Sequence, residues 1–290
     1  MTATLTPKDF ATATPSWWCP GCGDFGVLSA LKQAMAELGK QPKDVAFVSG
    51  IGCSGKISGY LHSYAFHGVH GRALPVATAI KLANRDLTVI AAGGDGDGYA
   101  IGAGHFVHAV RRNTDMTYIV MDNQTYGLTK GQSSPTSATG YVASVSPDGN
   151  PDTPLNGLAL ALAAGATFIA RGFSAQPKQM VAMIKAAVEH RGFAIVEVMS
   201  PCVTYNKINT YAWFKENTED GTLRDGYAPD DRLAAFEALT STDGKIPLGI
   251  LYKEDRPTFE DRTGLAETPI ARQNIRGPHP EYAAMLAAYR

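Results

Sequence analysis

The chain has 290 residues, with 26 basic and 27 acidic side chains and a formal net charge of −1. That balance offers nucleic acid no electrostatic footprint, and no apolar run is long enough to cross a bilayer. Residues 1–15 are rich in Thr and Ala and lack the apolar core of a secretory signal, so a cytoplasmic protein with its own core is expected.

In chain order, Asp24 is placed to cap a helix that carries Phe25, Leu28, Leu31, Met35 and Leu38 on one face and stops at Gly39. Residues 45–49 read as a short buried strand, and 88–92 as a second. Residues 99–112 form a helical pattern whose Gly102 and Gly104 suggest close packing. A third strand covers 117–121, and an Ala/Leu-rich helix covers 155–164. A strand at 167–170, a periodic helix at 177–191 before Gly192, and a strand at 194–199 complete the series. Each strand is short, continuous and rich in Val or Ile, as strands buried on both faces are. Strands alternating with helices predict an open, mainly parallel α/β sheet with helices on both faces. Ligands of such sheets bind beyond the carboxyl ends of the strands. Residues 1–202 make the main domain. Residues 203–290 change in texture, with many charges, prolines and aromatics. They read as an extension or arm that lies on a partner, or as a surface tail, with a last short helix at about 281–289.

Four cysteines carry the most specific signal: Cys19, Cys22, Cys53 and Cys202. In a reducing compartment, clustered thiols bind metal or do catalysis more often than they form disulfides. Cys19 and Cys22 let one loop give two thiolates, while Cys53 and Cys202 must fold in from afar. Zinc accepts four thiolates, and so does an iron–sulfur cluster. Structural zinc usually employs paired Cys-x-x-Cys knuckles, whereas a cubane tolerates scattered ligands, and isolated buried thiols are the third reading. Trp17 and Trp18 would shield such a site or cover core.

A second, oxygen-rich constellation follows two strands. Gly94-Asp95-Gly96-Asp97 comes after one, and Asp122-Asn123-Gln124-Thr125 comes after the next. Magnesium wants six oxygens in near-octahedral array. Asp95 can give a carboxylate oxygen, Asn123 an amide oxygen and Thr125 its backbone carbonyl. A diphosphate and a water would complete the shell. Gly94 and Gly96 let the backbone approach the phosphates, and the helix that follows aims its positive end at them. This arrangement resembles the diphosphate motif of thiamine diphosphate enzymes. The second position of the usual Asn-Asn matches, and the first is Asp122.

Trp18-Cys-Pro-Gly-Cys-Gly, Gly50-Ile-Gly-Cys-Ser, His70-Gly-Arg, Gly94-Asp-Gly-Asp and Asp122-Asn-x-x-Tyr-Gly-Leu-Thr, running on to Ser134-Pro-Thr, together resemble the β subunit of 2-oxoacid:ferredoxin oxidoreductases over about residues 16–210. That resemblance implies a 4Fe-4S cluster on Cys19, Cys22, Cys53 and Cys202. It implies thiamine diphosphate and magnesium, the ion held by Asp95, Asn123 and Thr125. Ile51, Gly52, Cys53, Ser54, His70, Gly96, Asp97, Gly127 and Leu128 match positions lining the cofactor. The implied reaction is reversible and joins a 2-oxoacid, coenzyme A and two oxidised ferredoxins to give acyl-CoA, carbon dioxide and reduced ferredoxin. An α subunit would complete the active site, in an αβ or (αβ)2 assembly. Lys130 stands where many relatives have glycine.

Within that frame, Lys56 should reach the reactive carbon and pair with the distal carboxylate of 2-oxoglutarate; a surface position or a hold on the diphosphate are its other readings. Leu128 would pack on the substrate's methylenes or beside the cofactor ring. His62 and His67 read as structural, and His105 and His108 as helix packing. Pyruvate or broad 2-oxoacid specificity, a non-redox thiamine decarboxylase subunit, and a cluster-only electron-transfer subunit are the competing expectations.

Overall fold

The computed structural model describes residues 4–143, 145–221, 226–241, 244–264, 269–272 and 280–288. Six strands come first in the chain: β1 (Val45–Ser49), β2 (Tyr64–His67), β3 (Thr88–Gly94), β4 (Met116–Asp122), β5 (Phe168–Phe173) and β6 (Phe193–Met199). Two more, β7 (Thr218–Asp220) and β8 (Ile246–Lys253), come from the stretch beyond Cys202. Among the described residues these form one sheet in the order β2-β1-β3-β4-β6-β5-β8-β7. The first six are mutually parallel. Strand β8 runs antiparallel to β5, and β7 runs parallel to β8. The extension beyond Cys202 therefore prolongs the sheet of the main domain.

Every residue of β1, β4, β5 and β6 is buried. Their side chains alternate between two cores because successive residues of a strand point to opposite faces. Phe47, Ile119 and Val196 join one core, with α1 (Asp24–Glu37) and α5 (Pro177–Glu189) over it. Val48, Val120 and Ile195 join the other, beneath α2 (Ala73–Ala83), α3 (Ala103–Arg112), α4 (Gly157–Ala163) and, after α6 (Tyr211–Asn217), α7 (Arg232–Thr240). Burying each large apolar side chain contributes about 1.5–3 kcal/mol. That is why the central strands read as unbroken Val/Ile runs. Two short helices close the chain, α8 (Phe259–Arg262) and α9 (Pro280–Ala288). No helix among the described residues is long and apolar enough to cross a membrane.

Several local expectations change. Gly23, not Asp24, is the N-cap of α1. The Asp24 carboxylate is fully buried and accepts a 2.6 Å hydrogen bond from the Ser200 hydroxyl, so it ties α1 to the end of β6. Gly39 does end the helix, at φ +65°. The helix expected over 99–112 begins earlier, with Asp95 as N-cap of a π-helical turn, Gly96–Ile101, that runs into α3. Gly102 is needed there, since a Cβ would lie 2.6 Å from the Asp97 carbonyl oxygen, whereas Gly104 faces open space. His108 is exposed rather than packed.

Candidate active site

Three neighbouring strands, β1, β3 and β4, deliver their carboxyl ends to one cleft of about 70 Å³. It is lined by Ile51, Gly52, Cys53 and Ser54 after β1, and by Gly94, Asp95, Gly96 and Asp97 around the end of β3. Asn123, Thr125, Tyr126, Gly127, Leu128 and Thr129 follow β4, and His70 closes one side. All the residues expected to line a cofactor or hold magnesium are brought together here. Lys56 is not among them. It lies half-buried in the helical segment Ser54–Tyr60, and its ammonium acts electrostatically on Cys53.

Asp97 is the staple of the cleft. Its Oδ1 accepts from the backbone N–H of Ile51 at 3.0 Å and of Gly71 at 2.8 Å, locking two loops onto β3. His70 Nδ1 stands 2.9 Å from the same oxygen, close enough for an ion pair but not aligned as a hydrogen bond. Gly96 has a steric reason, because a Cβ there would come within 2.2 Å of the Tyr126 ring.

Asp95 is 1 % exposed, and burial raises its pKa above the ordinary carboxylate range, against hydrogen bonds from Ser134 and Thr136 that lower it. The Thr136 hydroxyl lies 2.7 Å from Asp95 Oδ2 and 2.8 Å from Asp122 Oδ1. A hydroxyl has one proton, so one of the two carboxyls must supply the other. The order that keeps Asp95 ionised has Asp122 donating to Thr136 and Thr136 donating to Asp95. Burial, and then the Asp95 charge, push Asp122 well above its ordinary carboxylate value. An ionised carboxylate this deep calls for a cation. Asn123 Oδ1 accepts from the Thr125 N–H at 3.1 Å, which fixes the loop. Among the described residues the Thr125 carbonyl accepts no hydrogen bond. These three oxygens fit a divalent ion.

Beside Gly127 lie two of the sulfurs. A Cβ at Gly127 would stand 3.5 Å from Cys202 Sγ and 3.7 Å from Cys53 Sγ. The Cys22 thiol responds electrostatically to Cys202 and Cys53, and the Cys53 thiol to Cys202 and Cys19, so the four share one neighbourhood. None is in a disulfide. Burial first, and Asp24 second, push Cys22 up strongly and Cys53 up to about 11. Bare thiolates are disfavoured here, and a positively charged centre would reverse that. Among the described residues no three Cys, His, Asp or Glu converge tightly enough to hold a single ion. Four thiols in one neighbourhood are the ligand set that a 4Fe-4S cluster takes, and one that zinc also accepts.

Trp18 and Trp17 part ways. Trp18 is buried, donates Nε1–H to the Cys53 carbonyl at 2.7 Å and meets Phe25 and Tyr60 edge-on. Trp17 is 75 % exposed. Four contributors had no assigned place in the site from sequence: Asp24, Ser200, Thr136 and Tyr126. Thr136 and Tyr126 lay inside recognised motifs, which was their only signal.

This fold and cleft define a thiamine diphosphate enzyme. Residues 50–198 match the family described as thiamine pyrophosphate enzyme, C-terminal TPP binding domain. Residues 202–267 match the family described as the C-terminal part of the pyruvate ferredoxin oxidoreductase beta chain. The chain is 45 % identical to 2-oxoacid:ferredoxin oxidoreductase 2, subunit beta, of Aeropyrum pernix, over 92 % of this chain and 91 % of the relative. It is 42 % identical to 2-oxoglutarate oxidoreductase subunit KorB of Mycobacterium tuberculosis, over 75 % of this chain and 58 % of that one. Among solved structures it resembles a 2-oxoglutarate:ferredoxin oxidoreductase from Magnetococcus marinus with 2-oxoglutarate, coenzyme A and succinyl-CoA bound. That match has a TM-score of 0.90 and 41 % identity, covering 98 % of this chain and 96 % of that one. The chain belongs to the β subunits of the 2-oxoacid:ferredoxin oxidoreductases.

Proposed function

We propose that this β subunit serves a cytoplasmic αβ or (αβ)2 complex. The complex converts 2-oxoglutarate, coenzyme A and two oxidised ferredoxins reversibly into succinyl-CoA, carbon dioxide and two reduced ferredoxins. The single observation that carries the reading is Gly127, which lines the cofactor cleft and where a Cβ would stand 3.5 Å from the Cys202 sulfur and 3.7 Å from the Cys53 sulfur. A thiamine decarboxylase without redox chemistry has no use for thiols at that wall.

Bound thiamine diphosphate supplies an electron sink for decarboxylation, and a 4Fe-4S cluster on Cys19, Cys22, Cys53 and Cys202 takes electrons one at a time. The protein's own residues do the rest. Asp95, Asn123 and the Thr125 carbonyl would hold magnesium, which would neutralise the charge of the diphosphate, and Thr136 fixes the Asp95 carboxylate. Gly94, Gly96 and the loop of Ile51, Gly52 and Ser54 let the backbone close on the cofactor, while Asp97 and His70 hold that loop in place. Leu128, 48 % exposed at the rim, packs on the substrate's methylenes. Lys56 pairs with the distal carboxylate once substrate and the α partner seal the cleft.

The test is the co-purified αβ complex, given coenzyme A, a viologen and, in turn, 2-oxoglutarate, pyruvate and 2-oxobutyrate. Viologen reduction fastest with 2-oxoglutarate is expected, together with a visible absorption band that dithionite bleaches. No reduction with any 2-oxoacid defeats the assignment. A preference for pyruvate replaces the substrate and leaves the chemistry.

A further inference from the structure

A second cleft, of about 350 Å³, lies behind the cofactor cleft. The two share a wall. After β4 the chain alternates, so Asn123 and Thr125 line the cofactor cleft while Asp122 and Gln124 line the second. Thr136 closes the wall through its contacts with Asp95 and Asp122. The reaction described above uses none of this space.

A buried arginine looks onto it. Arg171 of β5 is 8 % exposed, and its Nε donates to Glu197 Oε1 at 2.9 Å. Glu197 Oε2 already accepts from the Tyr99 hydroxyl at 2.8 Å. That carboxylate is therefore satisfied, and its charge is matched by the guanidinium. The two terminal amino groups of Arg171 donate to nothing among the described residues, and neither is sealed from the cleft. A guanidinium with Nε engaged still offers four N–H bonds in one plane. The planar fork matches a carboxylate, which accepts two parallel bonds from it. Asp122, the other acid on this wall, is taken up by Thr136 and by the Gln124 N–H at 3.0 Å. Leu155 and Leu239 give the cleft apolar sides for a carbon chain.

We propose that this cleft is a binding site for a small organic carboxylate, gripped by the terminal amino groups of Arg171 and separate from the reaction centre. The inference does not rest on the proposed function and stands even if the complex reduces no viologen.

Succinate is the probe. It is titrated calorimetrically at fixed ionic strength into the purified assembly saturated with thiamine diphosphate and magnesium. Saturable binding of one succinate per chain is expected. R171Q should weaken it by roughly tenfold or more, the loss of a charge-assisted bond. R171K keeps the charge without the fork and should fall between. K56A should bind as the wild type does. Absence of saturable binding, equal binding by R171Q, or loss of binding in K56A overturns the proposal, the last because the anion then occupies the reaction centre. Inorganic phosphate displacing succinate at equal concentration overturns the carboxylate class. Should R171Q not fold, wild-type crystals soaked in 3-bromopropionate decide. Anomalous bromine density beside Arg171 supports the site, and its absence there ends it.

Discussion

Cys53 shows how much a single position is asked to do. Its sulfur faces the thiol group, its backbone lines the cofactor cleft, and its carbonyl accepts the indole N–H of Trp18. Trp18→Phe keeps the ring against Phe25 and Tyr60 but removes that bond, worth about 0.5–1.5 kcal/mol net. We expect a loss of stability of that size by denaturant titration and a shifted reduction midpoint of the bleachable chromophore. An unmoved midpoint would leave Trp18 as packing alone. Lys56→Ala addresses the substrate. A charge-assisted contact is worth about 1.5–3 kcal/mol, so the kcat/KM preference for 2-oxoglutarate over pyruvate should fall roughly tenfold to a hundredfold. An unchanged ratio takes Lys56 out of the pocket. The cleft residues were legible in sequence because glycines, Asp95 and Asn123 stand directly after recognisable strands. Asp24 was read as a helix cap because its partner, Ser200, lies 176 residues away. No local pattern reports such a distance.

Between strand and helix, the π-helical turn Gly96–Ile101 sets the shape of the diphosphate end. Gly96→Ala drives a methyl group into the Tyr126 ring. Thiamine diphosphate binding, followed by quenching of intrinsic fluorescence, should be lost while the far-ultraviolet spectrum is kept. Normal affinity would show that the turn yields. Elsewhere α5, β5 and α3 are joined by polar contacts. His190 Nε2 lies 2.8 Å from the Thr167 hydroxyl, which donates to Asn113 Oδ1 at 2.7 Å. Nε2 must therefore carry the proton, and Nδ1 is buried without a partner. Burial, then Lys253, lower the His190 pKa below its ordinary 6.5, against Asp255, Asp115 and Glu254, which raise it. The unfolded chain thus takes up the proton first. Stability from this group is full above the ordinary value and falls as pH drops below it towards the lowered one. Glu260, raised by burial, contributes the opposite slope at the acid end. His190→Gln, which retains a donor to Thr167, should lose less stability than the wild type between about pH 7.5 and about pH 5.5. Parallel curves would refute the assignment. The five central strands were visible as apolar runs. Strand β2 was not, because all four of its residues are exposed at the sheet edge, and β7 and β8 sit in the charged stretch where no period stands out.

At the scale of the whole molecule, the cofactor cleft encloses only about 70 Å³, whereas ligand pockets commonly enclose about 300–1,000 Å³. As a β subunit the chain has an α partner, which in the proposed function closes this cleft. Leu128 in the cleft lining, and Val69 beside His70, are exposed apolar side chains at that opening. The isolated chain should accordingly bind thiamine diphosphate at least roughly tenfold more weakly than the αβ complex, a difference of about 1.4 kcal/mol, measured side by side by calorimetry. Equal affinities would mean that the cleft is complete alone. Sequence conveyed the sheet and its chemistry, and the family resemblance implied a partner that completes the site, but which surface meets that partner was not legible because it depends on a chain this one does not contain.

Gly127 has one more consequence. It lines the cofactor cleft and a Cβ there would meet the Cys202 and Cys53 sulfurs, so any side chain at this position disturbs both neighbourhoods at once. The same closeness couples their fates: damage to the Cys53 or Cys202 thiol is damage at the wall of the cofactor cleft.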